Sequence, residues 1–371
     1  MNNVDCLVLG LGAMGSATLY HLARKRQQVV GIEQFKIGHD LGSSHGHSRA
    51  FRVFYHDPAY TELARSALPL WQELQEVSGE SLLHLCGFLG YAEVGNPLFR
   101  KNLAAVRQSS VEFELLSPRE VTSRFPALRI PTSATACFTP EAGFLDAGRS
   151  VMAHLGEATK LGAVVHQQVR VESIEFGGDQ SIVKTTAGDF CAGHLVITAG
   201  PWTADVLREL RLPLTVTRQQ KFYFRPARPE SLLPAVLPVY ADYDTRFYGF
   251  PIHGPGIKVA DDTRGETTHP DHINRTVESA QRDALSKWLS VLMPGHSFPF
   301  LEASTCMYTE TPDQDFLIGH HPSHSNVIVG AGFSGHGFKF STLVGLILAQ
   351  LVVDGSTPYP LERFSLKRFT H

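Results

Sequence analysis

The chain has 371 residues, 43% apolar and 19% charged, with 32 glycines and 22 prolines. That is ordinary for a globular protein and too long for one growing core, so two domains are expected. A net charge of −3, with acids and bases mixed along the chain, offers no general attraction to nucleic acid or an anionic membrane.

The N-terminus has no basic stretch ahead of an apolar one, so it does not read as a secretory signal. Residues 4–10 form a short apolar strand, 13–26 have helical periodicity and 28–33 form a second strand, which makes a βαβ unit. Between the first strand and the helix stands Gly10-Leu11-Gly12-Ala13-Met14-Gly15. The first glycine of such a turn makes the bend, the second admits a pyrophosphate to the backbone, and the third lets helix and strand pack. The helix N-terminus favours a diphosphate. Glu33, closing the second strand, is placed to accept hydrogen bonds from ribose hydroxyls. A bare glycine-rich turn would be weak; strand, helix, strand and acid together predict a dinucleotide site. The unit alone leaves NAD and FAD both open.

A helix is expected over about 59–78. Ser117-Pro118 with Glu120 is a capping box ahead of another, and Asp146 can cap a further helix to about residue 161. Strands follow at 163–168, 170–176, 181–188 and 194–200, the middle pair joined by a hairpin turn around 177–179. The long alternating run 214–226 suits an antiparallel sheet, and 326–332 is a buried strand leading to the last helix. The apolar run 342–353 is too short to span a bilayer and contains Gln350. Two distant strands, 194–200 and 326–332, also end in glycines before a helix. The cofactor domain therefore draws on three parts of the chain, which suits a long cofactor crossing a sheet. With no linker in the sequence, the domains are expected to be interleaved.

Cys6, Cys86, Cys137, Cys191 and Cys306 are scattered, with no C-x-x-C pair, which argues against a disulfide framework or zinc site and for a reducing, cytoplasmic compartment. Asn274-Arg275-Thr276 fits a glycosylation pattern by chance. His45 and His47 lack a nearby third ligand, and the histidines at 320, 321 and 324 read as a surface turn, so no metal is expected. Cys306, in a strand that runs into an acidic turn, is a core residue, a redox thiol or an attachment point. His45, His47, Arg49 and Arg52 lie within eight positions, a density of cations that calls for an anionic partner.

The segments GSSHGHSRAFR (42–52), YGFP (248–251), CMYTETPDQDF (306–316) and GAGFSGHGFKF (330–340) resemble the monomeric sarcosine oxidase family, with N-methyltryptophan and pipecolate oxidases, over essentially the whole chain. The resemblance implies an α/β Rossmann-like FAD-binding domain (1–84, 145–214 and 310–371) interleaved with an α+β substrate domain on an antiparallel sheet (85–144 and 215–309). It implies oxidation of the C–N bond of a secondary or N-alkyl amino acid, with O2 reduced to hydrogen peroxide by a monomer. It makes Cys306 the attachment point, through a thioether to the 8α-methyl group of FAD. Further cofactor contacts implied are Gly10, Gly12, Ala13, Met14, Gly15, Glu33, Ser43, Ser48, Arg49, Val171, Gly335, His336, Gly337 and Lys339. Arg52 and Lys339 would hold the substrate carboxylate, an Arg fork beside a Lys point charge. Tyr248 would line the substrate side, His45 matches an active-site position, and Lys258 would stand over the flavin as the cation that assists O2.

This sequence departs from the family after the lysine strand. An aromatic–histidine pair is replaced by Asp261 and Asp262. An acid at 262 favours a cationic or hydrogen-bonding amine substituent over a second carboxylate, so sarcosine is not expected to be the preferred substrate. An NAD-dependent dehydrogenase, or a flavoprotein dehydrogenase using another electron acceptor, shares the N-terminal unit. The former leaves Cys306 and the 330–340 turn unexplained. Gly42-Ser43-Ser44-His45-Gly46 spells a hydrolase pattern but lacks the strand-to-helix elbow. A flavin-binding protein without turnover would have no use for Lys258, Arg52 and Lys339.

Overall fold

The structure, a computed structural model, describes residues 1–369. The chain begins with β1 (Asn2–Leu9), α1 (Ala13–Arg24), β2 (Val29–Glu33), β3 (Arg49–Phe51) and α2 (Pro58–Ser78). There follow β4 (Leu83–His84), β5 (Phe88–Glu93), α3 (Pro97–Gln108), β6 (Glu114–Leu116), α4 (Pro118–Arg124), β7 (Ala134–Thr139) and β8 (Gly143–Leu145). The middle holds α5 (Ala147–Lys160), β9 (Val164–Gln167), β10 (Val171–Phe176), β11 (Ser181–Thr185), β12 (Phe190–Ile197), α6 (Thr203–Val206) and β13 (Thr215–Phe224). The remainder is β14 (Val239–Asp242), β15 (Phe247–Gly249), β16 (Ile257–Asp261), α7 (Ser279–Leu292), β17 (Phe300–Glu310), β18 (Leu317–His320), β19 (Val327–Ala331) and α8 (Ser341–Asp354).

The expected caps are present. Asp146 accepts from Arg149 N at 3.0 Å at the head of α5. Ser117 and Glu120 form the reciprocal box at α4, and Asp57, a cap not anticipated from the sequence, heads α2 with Pro58 at its first position. Sequence reading did not anticipate α3 and α7. Their periodicity is visible, but α3 is a surface helix with few buried residues and α7 starts from a residue that gives no side-chain cap.

One sheet has a parallel heart. β12, β1, β2 and β9 run parallel in that order, with β19 parallel beside the last residues of β12. The hairpin β10–β11 pairs antiparallel with the first residues of β12, and β18 closes against β19. Helices α1, α5 and α8 pack as a layer on this sheet, and α8 is buried along most of its length because it lies between sheet and helices. Among the described residues no helix is long and apolar enough to cross a membrane.

The second sheet has the order β17-β13-β16-β15-β14-β5-β7-β6 and is antiparallel except where β14 meets β5. A small third sheet has the order β3-β8-β4. The fold is thus a mixed α/β arrangement with a Rossmann-like unit and an antiparallel sheet. β13 departs from an ordinary alternating strand: every residue from Val216 to Phe224 is buried. Phe222 and Phe224 join the apolar core that α7 covers. Arg218 reaches the segment before α7 and bonds Glu278. The opposite face, with Gln219, Lys221 and Tyr223, is buried as well, and it faces the site described next.

Candidate active site

Three parallel strands, β1, β12 and β19, end at one place, and the turns after them line a cavity of about 750 Å3. Crevices outside the carboxyl ends of parallel strands are where such sheets bind ligands. Gly10 has φ +85°, and a Cβ there would stand 2.7 Å from Thr198 O. At Gly15 an added Cβ would fall 1.9 Å from Gly10 O, so the helix packs on the turn with no room for a side chain. Gly10, Gly12, Ala13 and Met14 all line the cavity at the N-terminus of α1. Glu33 also lines it; its carboxylate accepts from Leu11 N at 2.9 Å and Phe35 N at 3.1 Å, which fixes its orientation.

From there the cavity passes Ser43, His45, Arg49 and Val171 and reaches Gly335, Gly337 and Phe338. Gly335 admits the ring of Tyr308, which a Cβ there would meet at 2.5 Å. The adjoining Met307 and Tyr308 line the cavity, while Cys306 beside them is 7% exposed on β17, opposite Gln219 of β13. Gly15, Ser48, Cys306, His336, Lys339, Lys258, Tyr248, Arg52 and Asp262 do not form its immediate wall. Ser48 and Lys258 belong to one group of residues behind it, and His336, Lys339, Tyr248, Arg52 and Asp262 to another.

The first group is cationic. Arg49 donates to three carbonyls of its own loop: Ser43 O at 2.9 Å, His45 O at 2.7 Å and Ser48 O at 2.9 Å. Lys258, on β16, is 3% exposed; its Nζ donates to Ser48 O at 2.6 Å and stands 3.8 Å from the centre of the Phe250 ring. Burial, then the charges of Arg49 and Lys221, holds the Lys258 ammonium well below the usual lysine range. Lys221 completes the group, with Nζ 3.3 Å from both His45 Nδ1 and His45 O. Burial, with Lys221 and Arg49 beside it, pushes the His45 imidazole down to about 2, so the ring is neutral.

The second group lies around Tyr55. Lys339 Nζ donates to Tyr55 OH at 2.7 Å and His336 O at 2.6 Å, and Trp71 Nε1 fixes Lys339 O at 2.7 Å. Arg52 lies 4.2 Å over the Tyr55 ring and donates to Phe54 O at 2.8 Å. Burial and the charge of Arg52 hold the Lys339 ammonium well below its usual range. Tyr248 and Tyr308 are neighbours in this group, and burial raises both phenols. Asp262 contributes its field to this group, but its side chain is 52% exposed and paired with Arg246 at 2.9 Å. Its negative charge is therefore met on the chain by Arg246. His336 turns away from the cavity: its Nε2 meets Gln314 O at 3.1 Å, and its ring packs on Tyr60 and Phe316.

Several residues here were not identified from the sequence. Ser44 accepts from Ala13 N at 2.9 Å at the head of α1. Tyr308 sits inside the CMYT segment, and only its neighbour Cys306 drew notice. Lys221 carried one signal, a cation within an alternating run of a strand bound for a sheet interior.

The residues fit an FAD molecule. The cradle at Gly10 and Gly15 excludes side chains, and the cavity extends from that cradle across the strand ends to Gly335 and Phe338. Among the described residues, Ser43 Oγ and His45 Nε2 are buried without a hydrogen-bond partner, and both residues line the cavity. The sequence model for FAD-dependent oxidoreductases matches residues 5–351. This chain belongs to the FAD-dependent oxidoreductase family. Within it, the chain is 36% identical to a monomeric sarcosine oxidase of Streptomyces avermitilis, covering 98% of this chain and 97% of that protein. It is 33% identical to human peroxisomal sarcosine oxidase, over 98% and 96% of the two chains. Among solved structures it is similar to NikD, an amino acid oxidase essential for nikkomycin biosynthesis, with TM-score 0.87, 26% identity and 98% of each chain covered.

Proposed function

We propose that this FAD-dependent oxidoreductase is an oxidase of secondary amino acids, N-alkyl or cyclic, that yields an imine and passes electrons to O2 to give hydrogen peroxide. One observation carries the reading: a cavity suited to FAD is backed by two buried cationic groups, one around Tyr55 and one around Ser48. Buried cations of this kind are placed to meet negative charge. The proposal extends to FAD joined to Cys306. It includes the two interleaved domains with the boundaries given above, a division the two large sheets support. The name of the Streptomyces relative supports a monomer, and five free cysteines support a cytoplasmic setting.

When bound, FAD supplies the acceptor for two electrons from the amine and their delivery to O2. Gly10 to Met14 and Glu33 would hold its nucleotide half, and Ser43, Arg49, Gly335 and Gly337 the other end. Arg52 and Lys339 clamp the substrate carboxylate; with Trp71 and Tyr55 fixing Lys339, the clamp is pre-oriented, so the substrate loses its freedom on binding and not during reaction. Negative charge beside Lys339 or Lys258 favours the ammonium form and opposes the downward shift that burial causes. Lys258, held by Ser48 O and Phe250, stabilises negative charge developing on oxygen with little reorganisation. Tyr248 and Tyr308 exclude water from the substrate side.

The test is anaerobic mixing of purified protein with a panel of N-methyl amino acids, pipecolate and proline. The visible absorption of the bound flavin should bleach, and air should restore it with one hydrogen peroxide per cycle. Bleaching without peroxide on aeration would instead indicate a dehydrogenase with another acceptor.

A further inference from the structure

Lys221 is a buried charge that the reaction above does not use. It projects from β13 and is 5% exposed. The β13–β17 register places Gln219 opposite Cys306 and Lys221 opposite Ser304, so Lys221 and Cys306 are diagonal neighbours on one face of the sheet. At that spacing a long side chain reaches its diagonal partner. The loop before β3 presses on the ammonium from the other side: Gly46, at φ +102°, has so little space that a Cβ would lie 2.6 Å from Lys221 Nζ. His45 Nδ1 and O hold that nitrogen in place.

We propose that Lys221 is the positioning cation that stabilises the negative charge the Cys306 sulfur carries as it attaches to FAD. This inference rests on the attachment at Cys306 proposed above. A thiolate, not a thiol, is the nucleophile, and an adjacent cation lowers the pH at which it forms. Attachment replaces the S–H bond of Cys306 and one C–H bond of the FAD 8α-methyl group with a C–S bond. Two protons leave to solvent, and two electrons, with two protons, convert one O2 to hydrogen peroxide. Lys221 enters only through its charge and is unchanged at the end.

The surrounding groups set that charge. Arg49, His45 and Asp40 approach from the loop side, Lys258 from β16, and Cys306 and Tyr223 from the sheet. Burial and Arg49 bring the Lys221 ammonium down to about 8, while Cys306 and Asp40 act to raise it. The cation is therefore present at neutral pH, and a thiolate beside it strengthens its hold on the proton.

The experiment uses the full chain purified from riboflavin-starved cells, incubated with FAD in air. The flavin-linked fraction is followed by intact-protein mass spectrometry. Lys221→Met should link at least about tenfold more slowly at pH 7, the effect of losing about 1.4 kcal/mol of charge stabilisation at the sulfur. Its rate should approach that of the unaltered chain in alkaline buffer, and Lys221→Arg should stay close to the unaltered chain throughout. Alkylation of Cys306 by iodoacetamide at pH 7, before FAD is added, should slow in the same variant. Lys221→Gln provides a second neutral variant should the methionine variant not fold, with folding checked by melting and by non-covalent FAD binding. Equal linking rates and equal alkylation rates in the neutral variants and the unaltered chain would overturn the role of Lys221 alone. An unaltered chain that binds FAD but never links it would overturn the attachment itself and this inference with it.

Discussion

Replacing Lys258 with methionine separates the two halves of the reaction. The substitution keeps the length and apolar stem of the side chain, and Ser48 O retains its bond from Arg49 at 2.9 Å, so the loop stays anchored. What disappears is a charge that is only 3% exposed and little screened by solvent. A unit charge pair about 4 Å apart at an effective dielectric near 20 interacts by about 4 kcal/mol. Loss of one pre-organised electrostatic group costs about 10²–10³ in rate. Both scales agree on a fall of that size in the reaction of reduced protein with O2. The amine step should change by less than about tenfold, because the clamp at Arg52 and Lys339 is untouched. Stopped-flow mixing of anaerobically reduced protein with oxygenated buffer measures the first step; anaerobic bleaching measures the second. Because burial depresses the Lys258 ammonium, the oxygen step of the unaltered chain should also slow as pH rises through that lowered value, and the methionine variant should lose this dependence. An unchanged oxygen rate with a slowed amine step would refute the role given to Lys258.

Arg52→Ala removes one arm of the proposed carboxylate clamp and should lower kcat/KM for amino acids by about 10²–10³-fold. The matching amine without a carboxylate should be much less affected; an equal fall for both would place Arg52 outside the clamp. Gly15→Ala would drive a methyl group to within 1.9 Å of Gly10 O, so the purified variant should lose most of its flavin absorption or fail to fold. Recovery of yellow protein at normal yield would contradict the close packing of that turn. His21 and His154 are buried where α1, α5 and α8 meet, and burial pushes both down to about 3. The unfolded chain takes up these protons first, so stability present above about pH 6.5 is lost as pH falls toward 3. At pH 5 each residue accounts for roughly 2 kcal/mol. Urea unfolding at pH 7.5 and pH 5 should show that loss, and His154→Gln should reduce the difference by about one residue's share; an unchanged difference would mean that the imidazole is protonated in the folded chain.

Local signals made much of the fold legible. The βαβ start, the glycines after three strands and the caps at Asp146 and Ser117 each depend on residues a few positions apart. Function was legible differently. Gly10, Gly12 and Glu33 carry their own physical reasons, whereas Lys258 and Lys339 look like ordinary lysines until a family pattern picks them out. Their burial is created by strands and helices distant in sequence, which no local window contains. Lys221 shows the limit most clearly. Its partners His45, Ser304 and Cys306 come from a loop and a strand up to 176 positions away. Asp262 shows the converse: its pairing with Arg246 comes from a turn that closes only in three dimensions.

The central claim is that FAD in this cavity accepts electrons from a secondary amino acid held by Arg52 and Lys339 and delivers them to O2 beside Lys258. The most direct measurement is the visible spectrum of the purified full chain under anaerobic addition of the substrate panel, followed by air. The account predicts a flavin spectrum that bleaches with at least one N-alkyl or cyclic amino acid and returns with stoichiometric hydrogen peroxide. A protein that binds no flavin, or whose flavin stays oxidised with every member of the panel, would contradict it.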